Sequence, residues 1–409
     1  MSLTGTPFLC TLAVLAVAAL GLPLLLWTRV RGPRAVRAVT RVTMLLFAQL
    51  TAVTLVFTLV NNSNQLYDSW SDLLGTGDHV VHAADLGADG TGGVVLERLP
   101  KVRQTFRPAA GPGMRAAGGV RVTRMTGRVS GVKAEVYVWL PPQYDDPAWA
   151  DHEFPVVELL QGYPGSAKAW FGTLDVHEQL MPLMRDGTIA PFVLVAPRTA
   201  LVPGADTGCA NLPGRVNAES WLGIDVPRMV IDNFRVRSTP RGWSVAGYSA
   251  GGHCATRLAV AHPDRFGAAV SLSGYNDPAV ERASLTGRDP ALRAANDPLR
   301  MLREAAAPPR ISLYLSGQEK DGYEDAMALG RAARTPTSVQ VVKLPRSAGG
   351  HTMALWRPQV VPAFRWLTEE LGGHRTSGGT TPPGPSNGGA THGEPASGNA
   401  SPAAAARRP

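Results

Sequence analysis

The residues Gly247-Tyr248-Ser249-Ala250-Gly251 set a serine between two glycines in a G-x-S-x-G spacing. The short apolar run Trp243-Ser244-Val245-Ala246 before it, bounded by Pro240 and Gly247, suits a buried strand. Beyond Gly251 the residues Cys254, Leu258 and Ala261 recur at helical period, with Arg257 off that face. A serine on so sharp a strand-to-helix turn is forced into a strained backbone conformation, and side chains at either glycine would crowd it. The consequence is chemical. Ser249 Oγ is expected to stand exposed at the carboxyl end of a strand, with the Ala250 N–H aimed where an oxyanion develops.

Serine at neutral pH is a weak nucleophile and needs a base, which in turn needs a carboxylate to orient it. In the order Ser, acid, His, the base follows the last strands. His351, in Ala348-Gly349-Gly350-His351-Thr352 between a strand and a helix, is the candidate; His374 lies past the final helix. The acid should leave the strand that ends near residue 316, where Gly317–Gly322 offers Asp321 and, as the alternative acid, Glu319. Asp321 precedes Gly322, which suits a loop-tip turn. Either carboxylate could instead be a solvated partner of Lys320. The second oxyanion donor is expected at Gly162-Tyr163, from the Tyr163 N–H. Trp170, Trp221, Tyr275 and Trp356 are candidate substrate-binding aromatics, although core packing explains each equally well. His253 is too close along its helix to Ser249 to act as the base.

These groups need a scaffold to converge. Residues 120–122 and 134–140 alternate in period two around Ser130-Gly131 and predict an antiparallel hairpin. Buried strands are expected at 154–160, 192–197, 243–246, 268–273, 311–316 and 339–344. Helices are expected at 174–185, 226–234, 323–334 and 353–371. Such alternation predicts an α/β fold with a mostly parallel sheet covered on both faces.

The strings QGYPGS, AGYSAGGHC, SLSGY and GGHTMALW resemble the esterase family of α/β-hydrolases. That family includes S-formylglutathione hydrolases, feruloyl esterases and actinobacterial mycolyltransferases. The resemblance covers residues 118–371 and implies the α/β-hydrolase fold. It also implies Ser249, Asp321 and His351 as a catalytic triad, with Tyr163 and Ala250 as oxyanion donors. Two departures stand out. Relatives often carry His-Gly or Asp-Gly where this chain has Gln161-Gly162, and mycolyltransferases commonly use Glu as the acid, which keeps Glu319 open. The resemblance implies an esterase acting on a small-molecule or lipid acyl ester. An acyltransferase moving the chain to an envelope sugar or glycolipid hydroxyl, or a catalytically silent binding module, are the alternatives.

Residues 1–28 carry no charged side chain, and Arg29, Arg31, Arg34, Arg37 and Arg41 follow before a second uncharged run, Val42–Val60. Each run reaches the roughly 20 residues that a helix needs to cross a bilayer. The arginines between them favour a cytoplasmic loop, with the rest of the chain outside. The expected organisation is therefore a transmembrane hairpin (1–61), an extracytoplasmic linker (62–117), a catalytic domain (118–371) and a disordered Gly/Pro/Ser/Ala-rich tail (372–409). Within the linker, residues 65–74 suit a short amphipathic helix at the membrane interface. Cys209 and Cys254 fall in the outward part and are a candidate disulfide; Cys10 lies in the first run. No Cys/His cluster suggests a metal, and no cofactor is expected. The net charge of +8 has no basic, aromatic-interleaved stripe behind it, which disfavours nucleic-acid binding.

Overall fold

The computed structural model describes residues 1–95, 98–111 and 113–372. Residues 373–409, where the disordered tail is expected, lie outside these. Two helices open the chain, α1 (Thr6–Leu26) and α2 (Arg34–Asn64), packed side by side. Both are long and apolar enough to cross a membrane, and side chains such as Val17, Leu24, Leu50 and Val53 are left exposed on them. The arginines expected in the connecting loop partly belong to helix. Arg34, Arg37 and Arg41 form the first turns of α2, because Arg and Ala are good helix formers and carry the helix past the apolar run. Arg41 donates to the Trp27 carbonyl at 3.0 Å and lies 4.8 Å from the Trp27 ring.

The stretch after α2 is not a free spacer. A short helix, α3 (Trp70–Leu73), is capped by Ser69, whose Oγ accepts the Asp72 N–H at 3.1 Å. Trp70 meets Phe8 edge-on at 5.2 Å and donates to the Met1 carbonyl at 3.0 Å. Asp68 accepts from Ser166 Oγ at 2.6 Å and pairs with Lys168 at 3.2 Å. Asp72 takes both terminal nitrogens of Arg198 at 3.1 Å each. Further on, the His79 and Ala83 carbonyls accept the Lys133 and Gly214 N–H groups at 2.8 and 2.7 Å. The tie combines these polar bonds with scattered apolar contacts: Ala109 and Met114 enter one core, Val80, Val102 and Phe106 pack against the other, and Leu86 joins a smaller cluster.

The main sheet starts with β1 (Arg107–Pro108), β2 (Arg121–Thr126), β3 (Lys133–Trp139), β4 (Val156–Leu160) and β5 (Val193–Pro197). After a separate ribbon of β6 (Asn211–Leu212) and β7 (Val216–Asn217), it continues with β8 (Trp243–Tyr248), β9 (Ala268–Leu272), β10 (Ser312–Gly317) and β11 (Ser338–Lys343). The order across it is β1-β2-β3-β5-β4-β8-β9-β10-β11. From β5 to β11 the strands are parallel, while β1, β2 and β3 join antiparallel at one edge. Between strands run α4 (Ala169–Gly172), α5 (Val176–Arg185), α6 (Ala218–Ser220), α7 (Val226–Asn233), α8 (Ala250–Ala261), α9 (Pro290–Ala295), α10 (Pro298–Glu304), α11 (Tyr323–Ala332), α12 (Met353–Trp356) and α13 (Val360–Gly372). Side chains of α5 and α13 build one core, and those of α7, α8, α10 and α11 the other.

β4 shows why the central strands read as unbroken apolar runs. Val156 and Leu160 enter one core and Val157 and Leu159 the other, because successive side chains on a pleat face opposite ways. Glu158 interrupts the pattern. It is fully buried, neither carboxylate oxygen has a hydrogen-bond partner among the described residues, and burial pushes its carboxyl well above the usual range.

Candidate active site

β8 ends at Tyr248 and α8 begins at Ala250, so Ser249 alone makes the turn, at φ 55° and ψ −124°. A Cβ on Gly247 would lie 2.0 Å from the Gly251 carbonyl oxygen, and one on Gly251 2.2 Å from that of Leu160. Only glycine fits at either place. The strained turn is held by the Ser249 N–H, which donates to the Leu272 carbonyl on β9 at 2.9 Å.

Two loops bring the other groups to this serine. After β10, the Gln318 and Asp321 backbones exchange N–H···O bonds of 2.9 Å each, and Gly322 at φ 85° leads into α11. After β11, the loop through Gly349-Gly350 carries His351. Its Nδ1 lies 2.6 Å from Asp321 Oδ1 and its Nε2 2.7 Å from Ser249 Oγ. With Nδ1–H donating to the carboxylate, the Nε2 lone pair faces the serine proton, the arrangement general-base activation of a hydroxyl requires. Glu319 is engaged elsewhere: Lys343 and Arg346 both donate to its carboxylate and hold it below the usual carboxylate range. The 318–322 turn thus presents Asp321, and not Glu319, to the imidazole. The His351 side chain remains 45% exposed.

Gly162 closes the other side. A Cβ there would meet Ser249 Cβ at 3.1 Å, so the backbone of 162–163 runs directly against the serine. The Ala250 N–H is the first of its helix and has no intrahelical acceptor. Among the described residues neither it nor the Tyr163 N–H is hydrogen-bonded to a protein acceptor. Two N–H groups flanking one hydroxyl can stabilise an oxyanion formed there.

The candidate aromatics divide. Trp170 and Trp221 are 1% and 0% exposed and lie in opposite cores. Trp170 packs on the Tyr248 ring at 5.4 Å, and Trp221 donates to the Arg198 carbonyl at 3.0 Å. Rings enclosed on every side have no face for a ligand, so the substrate-binding expectation is corrected for both. Trp356 is also buried; it stacks on Tyr248 at 4.7 Å and meets the His351 ring edge-on at 4.8 Å, bracing that imidazole. Tyr275 is half-buried and stacks on His253 at 4.8 Å. His253 Nδ1 bonds the Tyr275 carbonyl, and burial lowers its pKa to about 4, so it is a neutral packing residue. Cys209 and Cys254 are joined, with Cα atoms 5.7 Å apart, tying the 200s loop to α8 behind the serine. The Asp68–Ser166 bond, beside the 162–163 backbone that abuts Ser249, spans 98 positions, and no local pattern announces it.

The fold is that of an α/β-hydrolase. Residues 128–367 match the family described as Putative esterase, and the chain belongs to that family. An uncharacterised protein of Corynebacterium glutamicum is 28% identical over 257 residues, 58% of this chain. The chain spans 58% of the length of that curated relative. A ferulic acid esterase shares the fold at a TM-score of 0.51 with 18% identity, covering 61% of this chain and 98% of that one. An S-formylglutathione hydrolase from Agrobacterium tumefaciens superposes at 0.49 with 18% identity, over 67% of this chain and 100% of that one.

Proposed function

We propose that this protein is a membrane-anchored serine esterase working outside the cytoplasm, with Ser249, His351 and Asp321 as its triad. The observation that carries the reading is the pair of hydrogen bonds from Asp321 through His351 to Ser249. Ser249 Oγ attacks an acyl carbonyl while His351 Nε2 takes its proton. The Tyr163 and Ala250 N–H groups stabilise the tetrahedral oxyanion. Collapse of that intermediate expels the alcohol, which receives the proton from His351, and leaves the acyl group on Ser249. Water, activated by the same imidazole, then releases the acid. Asp321 keeps the imidazole in the required tautomer throughout.

The two apolar helices serve as membrane spans in this reading. Arginines between them favour the cytoplasmic side for their connection and the outside for everything after α2. A disulfide between Cys209 and Cys254 fits an oxidising compartment. The exposed His351 leaves an acceptor, water or a sugar hydroxyl, a path to the acyl-enzyme. Incubating an acyl donor with and without trehalose or glycerol, and analysing the products, separates hydrolysis from acyl transfer.

The primary test is covalent labelling. A fluorophosphonate probe should label the wild-type protein and not Ser249→Ala, and p-nitrophenyl butyrate hydrolysis should be lost with the label. A folded wild-type protein that takes no label would favour a silent binding module and remove the enzymatic reading.

A further inference from the structure

We infer that the strap just after the second apolar helix and the oxyanion loop together form a subsite for the alkyl chain of an uncharged ester standing in the membrane surface. This rests on the membrane-esterase reading above. The observation is a cavity of about 230 Å³ between the two segments. Tyr67, Leu73 and Leu74 of the strap form one side, Tyr163 and Pro164 of the oxyanion loop another, and Val202 faces them from the 200s loop. The cavity does not include Ser249 itself. It meets the site at Tyr163, one residue from the Gly162 backbone that abuts the serine.

Three features identify the occupant. First, the wall is built rather than incidental, because Asp68 holds both Ser166 and Lys168 and so fixes the strap to the oxyanion loop. Second, the charges around the cavity are satisfied by one another. Arg198 is bound bidentately by Asp72 and also by Glu135 at 3.2 Å, and Asp68 is engaged as above. No unpaired charge remains among these groups to select an ionic ligand, and Leu66, Leu73, Leu74, Val202 and Pro164 offer alkyl surface beside the polar side chains that share the lining. Third, the wall starts at Leu66, two residues past the end of α2 at Asn64. With α2 spanning the bilayer, the cavity opens at headgroup level. A soluble, short ester would use none of this wall. An amphiphile held in the membrane, with its ester at the surface, would place its carbonyl at Ser249 and its adjoining chain here.

The strap lies outside residues 128–367, so this wall is a feature of the chain beyond the family's shared domain. The experiment uses the full-length protein in phospholipid vesicles, with p-nitrophenyl acetate and p-nitrophenyl dodecanoate as probes. Leu73→Trp fills the cavity from the strap, and Val202→Trp fills it from the opposite wall. Each should lower the dodecanoate-to-acetate ratio of kcat/KM at least about tenfold, since a single methylene in an apolar pocket is already worth about that much. Fluorophosphonate labelling of Ser249 reports an intact site in each variant. An unchanged ratio in either labelled variant, or an equal fall with both esters, overturns the subsite while leaving the esterase reading in place. A wild-type protein that is not labelled removes the esterase reading, and the subsite with it.

Discussion

Replacing Asp321 by Asn tests the geometry at its most sensitive joint. In the native arrangement Nδ1–H donates to Asp321 Oδ1 at 2.6 Å, which leaves Nε2 unprotonated 2.7 Å from Ser249 Oγ. An asparagine amide can turn its NH₂ toward Nδ1, which moves the ring proton to Nε2. The imidazole then points a hydrogen at the serine and cannot take one. Asp321 Oδ2 has no hydrogen-bond partner among the described residues, so among them the carboxylate's side-chain bond goes to His351. A wrong-tautomer histidine lowers turnover about 10⁴-fold, equivalent to about 5.4 kcal/mol of transition-state stabilisation at 1.36 kcal/mol per decade. Glu319→Gln only removes exposed pairing to Lys343 and Arg346 and should leave kcat/KM within about twofold. The assay is p-nitrophenyl butyrate hydrolysis at pH 7.5, normalised to the concentration of fluorophosphonate-reactive sites in wild type and to folded protein in the variants. If Asp321→Asn keeps more than about a tenth of wild-type kcat/KM, or Glu319→Gln falls as far as Asp321→Asn, the assignment of the acid is wrong.

Two stability predictions follow from buried groups. Glu158 has its carboxyl pKa raised by burial, so the folded state keeps a proton that the unfolded state releases above its ordinary pKa near 4.5. Its contribution to stability is therefore greatest at low pH and declines as pH rises from there toward the folded pKa, by at most about 1.4 kcal/mol per pH unit. Glu158→Gln should gain in melting temperature on the wild type between pH 4 and pH 8; a constant gap across that range would show that the carboxyl titrates alike in both states. The Cys209–Cys254 bridge closes a loop with a sequence separation of 45, for which chain entropy gives about 4 kcal/mol of stabilisation. Reduction, or Cys209→Ser with Cys254→Ser, should lower the melting temperature on the order of 10 °C. Unchanged melting, with two native-state thiols titrating in addition to Cys10, would mean the bridge is absent.

Much of this molecule was legible before folding, because local rules govern it. The central strands announce themselves as apolar runs, since a sheet covered on both faces buries both sides of the pleat. The elbow is visible because two glycines are sterically compulsory around Ser249, and His351 because it follows the last strand on a glycine-rich loop. What the sequence left open were choices that depend on direction in space. Glu319 and Asp321 differ by two positions on one loop, and only the 318–322 turn decides that Asp321 meets the imidazole while Glu319 goes to Lys343 and Arg346. The three tryptophans and one tyrosine look alike in sequence, but burial in opposite cores removes Trp170 and Trp221 from ligand contact, while Trp356 packs on the His351 ring. The strap is the largest difference. Its carboxylates look like solvated charge in sequence, and they reach Ser166, Lys168 and Arg198 only once the sheet has brought residues about a hundred positions away alongside them. Patterns of type and period report what a residue buries; which distant group it touches is set by the packing of the whole chain.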